Sequence, residues 1–466
     1  MRLGAWKKEA CCVLFACCYL TFMVIYGLWE KNQESNIFPI TSISIPSLTL
    51  SPTMTTPWHD SEEVKMLKEL IAWPEPRGTL SFNSSTSAQN CDYQILNPRA
   101  HYSVGETLEL LLTARDHQKR PKSYGGDFFR AKLHSPELKA GVTGSMRDHQ
   151  NGTYTITFRL LWPGDVEVSI RLIHSSEAVQ IMKRLRDTRT DKVYFYGYFQ
   201  KNGTAERTEC NLQILERPVC EYTDPRTGEK WVCIRPKQLP CNTLIYHSAG
   251  GYRKVTNKEE DALLAGAVTD QAIPGKIPIL LVLPGNSSVS LKRIDLHVNY
   301  RSGPLLAADV ENNFVMHWRA HGNPLRTEKT MVADLHYMAN DISAIGGGPD
   351  LVIVFTLWAH FTTYPVDWYI RRVQIIRQMV IDLLQRSPQT TVIIKSANTG
   401  YKSVYGSDWL SFQLDVILRR MFLGLPVAIV DAWQMTSCHY LPDDIHPGKV
   451  VIQNEVDLFL SYICPH

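Results

Sequence analysis

The strongest constraint on the fold lies in the C-terminal half, where short apolar runs alternate with amphipathic helical patterns. Apolar runs that predict buried strands occur at 277–283, 291–297, 350–357, 391–394 and 427–430. Helical spacing of apolar residues is found at 366–385, 409–422 and 450–462. Strands that are apolar at almost every position are typical of a parallel sheet covered by helices on both faces. The sequence therefore predicts an α/β domain over residues 276–466.

A loop after the last predicted strand carries an acid and a histidine. Asp443 and His446 follow the run at 427–430, and loops at the carboxyl ends of strands are where α/β proteins build sites. A carboxylate three residues before a histidine can hold the imidazole in the orientation that a base activating a serine requires. The same spacing also occurs in loops where the two residues only pair. His439 is an alternative base, but no acid precedes it at a useful spacing.

The region before the α/β domain has the pattern of an all-β module. Predicted strands at 107–113, 153–158 and 166–172 are separated by tight-turn sequences such as Asn151-Gly152. Short strands at this spacing predict an immunoglobulin-like sandwich over residues 81–217. No residue of this module suggests catalysis, so a binding or spacing role is expected.

Cysteine usage and glycosylation sequons indicate an oxidising compartment. Four cysteines fall within 210–241 and predict a small disulfide-stapled connector over residues 218–275. Seven of the eleven cysteines follow residue 31, and this odd number leaves at least one outside any intramolecular pair. No spacing of cysteine and histidine suggests a metal site. Sequons for N-glycosylation occur at Asn83, Asn151, Asn202 and Asn286.

The N-terminal segment predicts a membrane anchor. Residues 10–29 form an uncharged apolar run that is long enough to cross a bilayer as a helix, and basic residues precede it. Residues 1–31 are therefore predicted to be a cytoplasmic tail and signal anchor. A cleaved signal peptide is the alternative, although bulky residues occupy positions where small ones are wanted. Residues 32–80, rich in Ser, Thr and Pro, predict a stem with one short helix at 62–73.

Anchor, stem and lumenal domains are the layout of a Golgi type II membrane enzyme, and equally of a shed surface ligand. Cleavage of the N-terminal segment would make the chain a secreted protein. The formal net charge is only +3, and no basic run is interleaved with aromatic residues. We therefore expect a secretory-pathway protein with no nucleic-acid partner.

This layout resembles the NXPE family, whose members combine a neurexophilin-like module with a PC-esterase domain. The resemblance covers essentially the whole chain and is carried in the last domain by 291–295, 349–360 and 442–447. It implies an SGNH (GDSL) hydrolase-like α/β domain, related to enzymes that move acetyl groups on glycans. It also implies that Asp443 orients the base His446, that a sialylated glycoprotein or mucin is the acceptor, and that acetyl-CoA donates the acetyl group without being a bound cofactor.

The Gly-Asp-Ser-Thr segment that carries the nucleophile in this family is missing here. The nearest match is Gly285-Asn286-Ser287, which makes Ser287 the candidate nucleophile; a glycan on Asn286 would occlude it. Only seven residues separate Leu283 from Leu291, which is too short for the crossover helix of a parallel unit. We therefore expect an impaired O-acetyltransferase or esterase, or alternatively a non-catalytic glycoprotein whose immunoglobulin-like module binds a protein ligand.

Two further polar residues follow predicted strands of the α/β domain. His360 comes after the third strand, where it is placed to position substrate or to contribute to an oxyanion hole. Asn398 comes after the fourth strand and is placed to donate a hydrogen bond. Both residues also suit structural roles, namely a histidine at a strand end and an asparagine in a turn.

Overall fold

The computed structural model describes most of residues 61–463 together with one N-terminal strand. The described residues are 22–27, 61–76, 78, 80–96, 98–215, 218–275, 280–283, 305–309, 314–322, 329–400, 402–439 and 444–463. Strand β1 (Phe22–Gly27) precedes helix α1 (Glu62–Leu70), which Ser61 caps at its N-terminus. Val64 and Leu67 are fully buried on one face of α1, in agreement with the helical spacing.

The first large unit consists of two sheets of mainly antiparallel strands. Its strands in chain order are β2 (Asp92–Ile95), β3 (Tyr102–Ser103), β4 (Thr107–Thr113), β5 (Phe128–Ser135), β6 (Ala140–Thr143), β7 (Ser145–Asp148), β8 (Thr153–Arg159) and β9 (Gly164–His174). One sheet has the order β2-β4-β8-β7, and the other contains β3, β9, β5 and β6. Both sheets contribute side chains to one hydrophobic core.

The period-two pattern of β4 explains how this core forms. Leu108, Leu110 and Leu112 are fully buried, and they lie opposite buried residues of β8. Alternate residues of a strand point to opposite faces, so one apolar stripe per strand is sufficient to close the sandwich. The predicted all-β module is thus present, with the additional helix α2 (Ser176–Thr188) directly after β9.

A third sheet follows and includes the cysteine-rich segment. Its strands are β10 (Val193–Lys201), β11 (Thr204–Asn211), β12 (Val219–Thr223), β13 (Lys230–Ile234) and β14 (Leu244–Tyr252), and Thr330–Met331 joins at the edge. The strand order is β12-β13-β11-β10-β14, continued by Thr330–Met331. Residue 217 was predicted to be the boundary between the immunoglobulin-like module and the connector. Because β10 pairs with β14 and β11 pairs with β13, this sheet extends across that boundary.

Two disulfides connect strands and loops of this sheet, as the clustered cysteines predicted. They join Cys210 to Cys233 and Cys220 to Cys241. Cys91 is buried and reduced, and Cys438 is half-buried and reduced. Within the described parts of the chain, two cysteines are therefore outside any pair.

Removal of the Cys210–Cys233 disulfide is expected to destabilise the protein by about 3 kcal/mol, because it closes a loop of 23 residues in the unfolded chain. The double change Cys210→Ser and Cys233→Ser tests this in urea unfolding under oxidising conditions. Cys438→Ser is the matched control, with an expected loss below about 1 kcal/mol. Equal losses of stability in the two proteins would contradict a stabilising role for the Cys210–Cys233 disulfide.

The next elements depart from the predicted domain order. After helix α3 (Lys258–Leu263), strands β15 (Gln271–Ala272) and β16 (Leu280–Leu283) both pair with β9 of the sandwich. Strand β16 also pairs with β3, and its Leu280 and Val282 are buried in the sandwich core. The prediction that 277–283 is the first strand of the α/β sheet is therefore wrong. A short apolar run fits either core equally well, and pairing with β9 decides its place.

The C-terminal region contains a mixed sheet flanked by helices. The strands of this region are β17 (Leu305–Asp309), β18 (Phe314–Trp318), β19 (Thr330–Met331), β20 (Leu351–Phe355), β21 (Thr391–Lys395), β22 (Lys402–Ser403), β23 (Gly406–Ser407) and β24 (Ala428–Val430). Of these, β19 is the strand at the edge of the third sheet, and β22 and β23 pair with each other. The helices of this region are α4 (Met338–Ala344), α5 (Val366–Arg386), α6 (Asp408–Phe422), α7 (Ala432–Cys438) and α8 (Lys449–Ser461). The sheet order is β17-β18-β1-β20-β21-β24, in which only β20, β21 and β24 are mutually parallel.

The parallel part of this sheet is covered on both faces, as predicted. Ile353 and Phe355 of β20 pack in a core with α5 and α6, whereas Val352 and Val354 pack in a second cluster with residues of α8. The expectation of an all-parallel sheet is wrong, because β1, β17 and β18 run antiparallel to their neighbours. The predicted strand at 291–297 lies outside the described residues.

The predicted membrane anchor is not supported by the structure. Six residues of the apolar run at 10–29 form β1, which lies between β18 and β20 with Tyr26 opposite Leu351. A strand between two others has its backbone groups paired on both sides, so an apolar run is stable there without a bilayer. No helix among the described residues has both the length and the apolarity to cross a membrane. The rest of the run is outside those residues.

Candidate functional site

The candidate site lies where the three parallel strands end. The chain leaves β20 at Thr356, β21 at Ser396 and β24 at Asp431, and carboxyl ends of adjacent parallel strands meet at one edge of the sheet. His360 and Asn398 follow the first two strands directly, and the loop that contains His446 is held beside the second. The fold thus brings together the predicted polar residues of this edge.

The loop after β21 is held by carboxylates of α6. The Ala397 backbone N–H donates to Asp415 Oδ1 at 3.0 Å, and the Gly400 N–H donates to Asp408 Oδ1 at 2.8 Å. The other oxygen of Asp408 accepts a hydrogen bond of 2.7 Å from Arg130 of the sandwich. Asp408 and Arg130 are both buried, so the sandwich module directly supports the edge of the site.

Asn398 connects this loop to the segment that carries His446. Its Oδ1 accepts a hydrogen bond of 2.6 Å from Lys395 Nζ, and its Nδ2 donates to the Ile445 carbonyl oxygen at 3.2 Å. Lys395 also forms an ion pair of 3.5 Å with Glu455 on α8. Asn398 is buried, and its amide is engaged at both ends by protein groups. This supports a positioning role for Asn398, and donation to substrate by the second hydrogen of Nδ2 stays a prediction.

Gly400 shows how closely these two segments approach each other. Its φ angle is +113°, and a Cβ built on it would lie 2.6 Å from the Asp444 carbonyl carbon. Only glycine combines this backbone conformation with such a short approach. The segment 444–447 is therefore packed directly on the loop that follows β21.

Removal of the Asn398 side chain is expected to release the segment that carries His446. Asn398→Ala deletes both hydrogen bonds of the buried amide, and the expected loss of stability is about 1–3 kcal/mol. Amide hydrogen exchange at 444–447 should become faster than in the native protein. Asn398→Asp keeps the acceptor for Lys395 and removes only the donor to Ile445, so it separates the two contacts. Unchanged exchange in Asn398→Ala would refute the positioning role.

His446 lies exposed in this segment. Its backbone N–H donates to Asp444 Oδ1 at 2.9 Å, which makes a local turn of the loop. Asp443 lies outside the described residues, so its predicted hydrogen bond to the His446 imidazole stays a prediction. His439, the alternative base, ends helix α7 at the contact with the sandwich, where its carbonyl accepts a hydrogen bond of 2.7 Å from Lys132.

His360 stacks on a second histidine that the sequence analysis did not identify. The rings of His321 and His360 are 4.5 Å apart with an angle of 5° between their planes. His321 follows β18, and burial, together with the nearby positive groups His360, Arg372 and Lys395, lowers the pKa of His321 well below its ordinary value. The buried imidazole is therefore neutral at physiological pH. Only the fold brings these residues together, since the two histidines are 39 positions apart in the chain.

The candidate nucleophile does not lie in the described residues. Ser287 and the sequon residue Asn286 are both outside them. The strand that precedes them, β16, belongs to the sandwich. The sequon residues Asn83, Asn151 and Asn202 are exposed, which makes each accessible to a glycosyl group. Within the described ranges, no group of three or more metal-ligating side chains is found.

The arrangement contains the exposed His446 and the stack of His360 on the neutral His321, beside loops that hydrogen bonds hold in place. Such a frame can orient an imidazole and a substrate, but acyl transfer through a serine ester also needs an attacking hydroxyl within hydrogen-bond reach of the base. Ser287, the candidate for that hydroxyl, is outside the described residues.

Two family models match successive parts of the chain. A family model described as neurexophilin matches residues 60–264, and a model described as the NXPE family member 4-like C-terminal domain matches residues 284–464. The chain is thus a neurexophilin-type module followed by an NXPE-type C-terminal domain. It belongs to the NXPE family, as the sequence resemblance indicated.

Proposed function

We propose that this protein is a secretory-pathway glycoprotein related to enzymes that transfer acetyl groups to glycans, and that its own acyl-transfer site is impaired. The observation that carries this proposal is the pairing of β16 with β9 and β3 of the sandwich. The strand that leads to Ser287 is therefore in a different sheet from the loops that carry His360, Asn398 and His446.

The direction of β1 gives a second physical reason. In the C-terminal sheet, the neighbour of β20 on the side away from β21 is β1, which is antiparallel to β20. The carboxyl end of an antiparallel strand lies at the opposite edge of the sheet from that of its neighbour. This strand therefore does not deliver a nucleophile to the edge where His446 lies.

In the complete reaction, His446 would deprotonate a serine hydroxyl, Asp443 would orient the imidazole, and backbone N–H groups would stabilise the oxyanion. The serine oxygen would attack the acetyl carbonyl, the bond between that carbon and the sulfur of acetyl-CoA would break, and the proton on His446 would pass to the leaving thiolate. A glycan hydroxyl, activated by His446, would then attack the serine ester and regenerate the serine. By family resemblance, the acceptor is sialic acid on a glycoprotein or mucin.

Entry into the secretory pathway is supported by the two disulfides and by three exposed sequons. Residence in the Golgi is part of the proposal, with secretion from the cell as the alternative. A second candidate function is a non-catalytic binding glycoprotein. The pairing of β16 with the sandwich also favours this function. A binding role needs the sandwich and the third sheet but no catalytic serine.

The test compares acetyl transfer from acetyl-CoA to a sialylated glycan, and hydrolysis of an aryl acetate, in the full chain and in three variants. Ser287→Ala and His446→Ala remove the candidate nucleophile and base, and His149→Ala changes an exposed histidine of the sandwich as a control. We expect all four proteins to remain at background. Activity that is lost in Ser287→Ala and His446→Ala but kept in His149→Ala would overturn the proposed impairment.

A further inference from the structure

The outward face of the third sheet carries a row of tyrosines. Tyr194, Tyr196 and Tyr198 alternate along β10 and are half-buried, whereas Phe195 and Phe199, on the other face of the strand, are buried in the core. Because side chains of a strand alternate between its faces, the three phenol rings lie on one surface. Tyr246 of β14 lies opposite Tyr198 and extends the row sideways.

A cation lies over each tyrosine ring of this row. The Arg253 guanidinium is 4.6 Å from the ring centre of Tyr194, and the Arg207 guanidinium is 4.2 Å from that of Tyr196. Lys329 Nζ lies 4.5 Å from Tyr198 and 4.7 Å from Tyr246. These distances are those of cation–π contacts, which hold long basic side chains in place on the surface.

The balance of charge on this surface is positive. Glu209 forms an ion pair with Arg253. The neighbouring Glu206 accepts hydrogen bonds of 2.8 Å from the backbone N–H groups of Lys237 and Gln238, and so is engaged away from the tyrosines. Arg207 and Lys329 are exposed at separate points along the row. A bound molecule thus meets aromatic faces with positive groups at intervals.

The row continues into a cleft. Tyr252, at the end of β14, contacts the ring of Tyr405 at 4.7 Å, and the Tyr405 hydroxyl donates to the Arg253 carbonyl oxygen at 2.9 Å. Tyr405 lines a cavity of about 780 Å³ whose other walls include Thr256, Thr269, Gln271 and Ser403.

The charged groups of the cleft are paired with one another. Arg171 pairs with Asp270 at 2.8 Å, and Lys254 pairs with Asp261 at 2.6 Å. The cleft therefore offers mainly hydroxyl and amide groups to a ligand, which suits a polyhydroxylated molecule better than a bare ion.

We propose that this tyrosine row and the adjoining cleft bind a linear sulfated polysaccharide of the glycosaminoglycan class. Sugar rings would lie against the tyrosines, sulfate groups would pair with Arg207 and Lys329, and one end of the chain would enter the cleft near Tyr405. Positive groups spaced along the row match anionic groups on successive sugars, whereas a single terminal carboxylate would need only one of them. This surface uses no residue of the candidate acyl-transfer site, so the inference does not rest on the proposed function.

The test measures binding of a heparin-derived decasaccharide to the full protein at physiological salt. We expect binding that weakens as salt increases, weaker binding of hyaluronan, which carries carboxylates only, and none of neutral dextran. Combined Arg207→Ala and Lys329→Ala should reduce affinity about tenfold. Tyr196→Ala should also weaken binding, whereas Tyr196→Phe should retain it.

The control variant is Lys230→Ala. Lys230 is an exposed lysine on β13 of the same sheet, and it pairs with Glu221 on β12. The variant should bind the decasaccharide as the native protein does. An equal loss in Lys230→Ala would mean attraction to general charge only and would overturn the proposal. Tighter binding of single-stranded RNA than of the decasaccharide, or no binding of the decasaccharide by the folded protein, would overturn it as well.

Discussion

Replacement of Arg372 by methionine is expected to lower the free energy of unfolding by about 3–5 kcal/mol. Arg372 lies on α5 and forms a two-point ion pair with Glu229, next to β13 of the third sheet; its Nε donates to Oε1 at 2.8 Å. The two side chains are only 6% and 8% exposed. Methionine would leave the Glu229 carboxylate buried without this cation, and that uncompensated charge is the main cause of the expected loss. Urea unfolding measures it.

The matched control removes both charges. Arg372→Met combined with Glu229→Gln eliminates the buried carboxylate, so it should recover a large part of the lost stability. Arg371→Met is a second control, because it changes the adjacent half-buried arginine on the same helix. A double variant no more stable than Arg372→Met alone would show that the lost packing of Arg372 on Trp368, 4.6 Å away, dominates instead.

This ion pair also bears on how the chain is divided. Phe195 and Trp231 of the third sheet belong to the same hydrophobic cluster as Ile353 and Ile370 of the C-terminal region. The cysteine-rich segment is therefore packed on the α/β unit through a shared core, and the Arg372–Glu229 pair lies within that contact. The sequence predicted only a small connector here, because the segment has clustered cysteines and few apolar runs.

The parts of the fold that follow local rules could be predicted. Helices α5, α6 and α8 and strands β20, β21 and β24 lie within a few residues of their predicted positions, because long amphipathic stripes and buried runs are strong patterns. Helix α2 was missed although Ser175 caps it, since its mean composition is polar. The partner strand of β16 could not be predicted, because pairing between distant strands depends on the tertiary core.

The candidate site shows the same limit. His360, Asn398 and His446 could be named as candidates from the sequence because each follows a predicted strand, and strand ends are local information. His321 was missed, because it becomes part of the edge only through the position of β18. The tyrosine row was also overlooked, although its period-two spacing is visible in the sequence. Its cations Arg253 and Lys329 come from distant segments, so no basic run marks it.

Replacement of Lys122 by methionine is the second change expected to cost about 3–5 kcal/mol. Lys122 Nζ donates hydrogen bonds of 2.7 Å to Ser84 O, Tyr124 Oη and Glu177 Oε1. The Lys122 and Glu177 side chains are 2% and 1% exposed. The change would remove the cation from a pocket that also holds the Asp127 carboxylate, so two buried acids would remain beside each other. Thermal or urea unfolding at pH 7 measures the loss.

The pH dependence of this loss distinguishes a charge effect from lost packing. Burial, followed by the neighbouring Glu177 charge, raises the pKa of Asp127 from 3.8 to about 6. A carboxyl whose pKa is raised by folding binds its proton more tightly in the native state, so its contribution to stability is present below pH 3.8 and is lost as pH rises through about 6. The difference between these two pKa values corresponds to about 3 kcal/mol of stability for this fully buried group.

Lys122 is one of the groups that lower this pKa, so Lys122→Met should raise it further. The variant should therefore lose more stability at pH 7 than at pH 5. The interval, meaning its unfolding free energy at pH 5 minus that at pH 7, should exceed the same quantity in the native protein. Lys122→Met combined with Glu177→Gln removes the repelling charge beside Asp127 and should narrow the interval again. A loss that is the same at both pH values would mean that the cavity left by the lysine, and not the buried carboxylates, determines the effect.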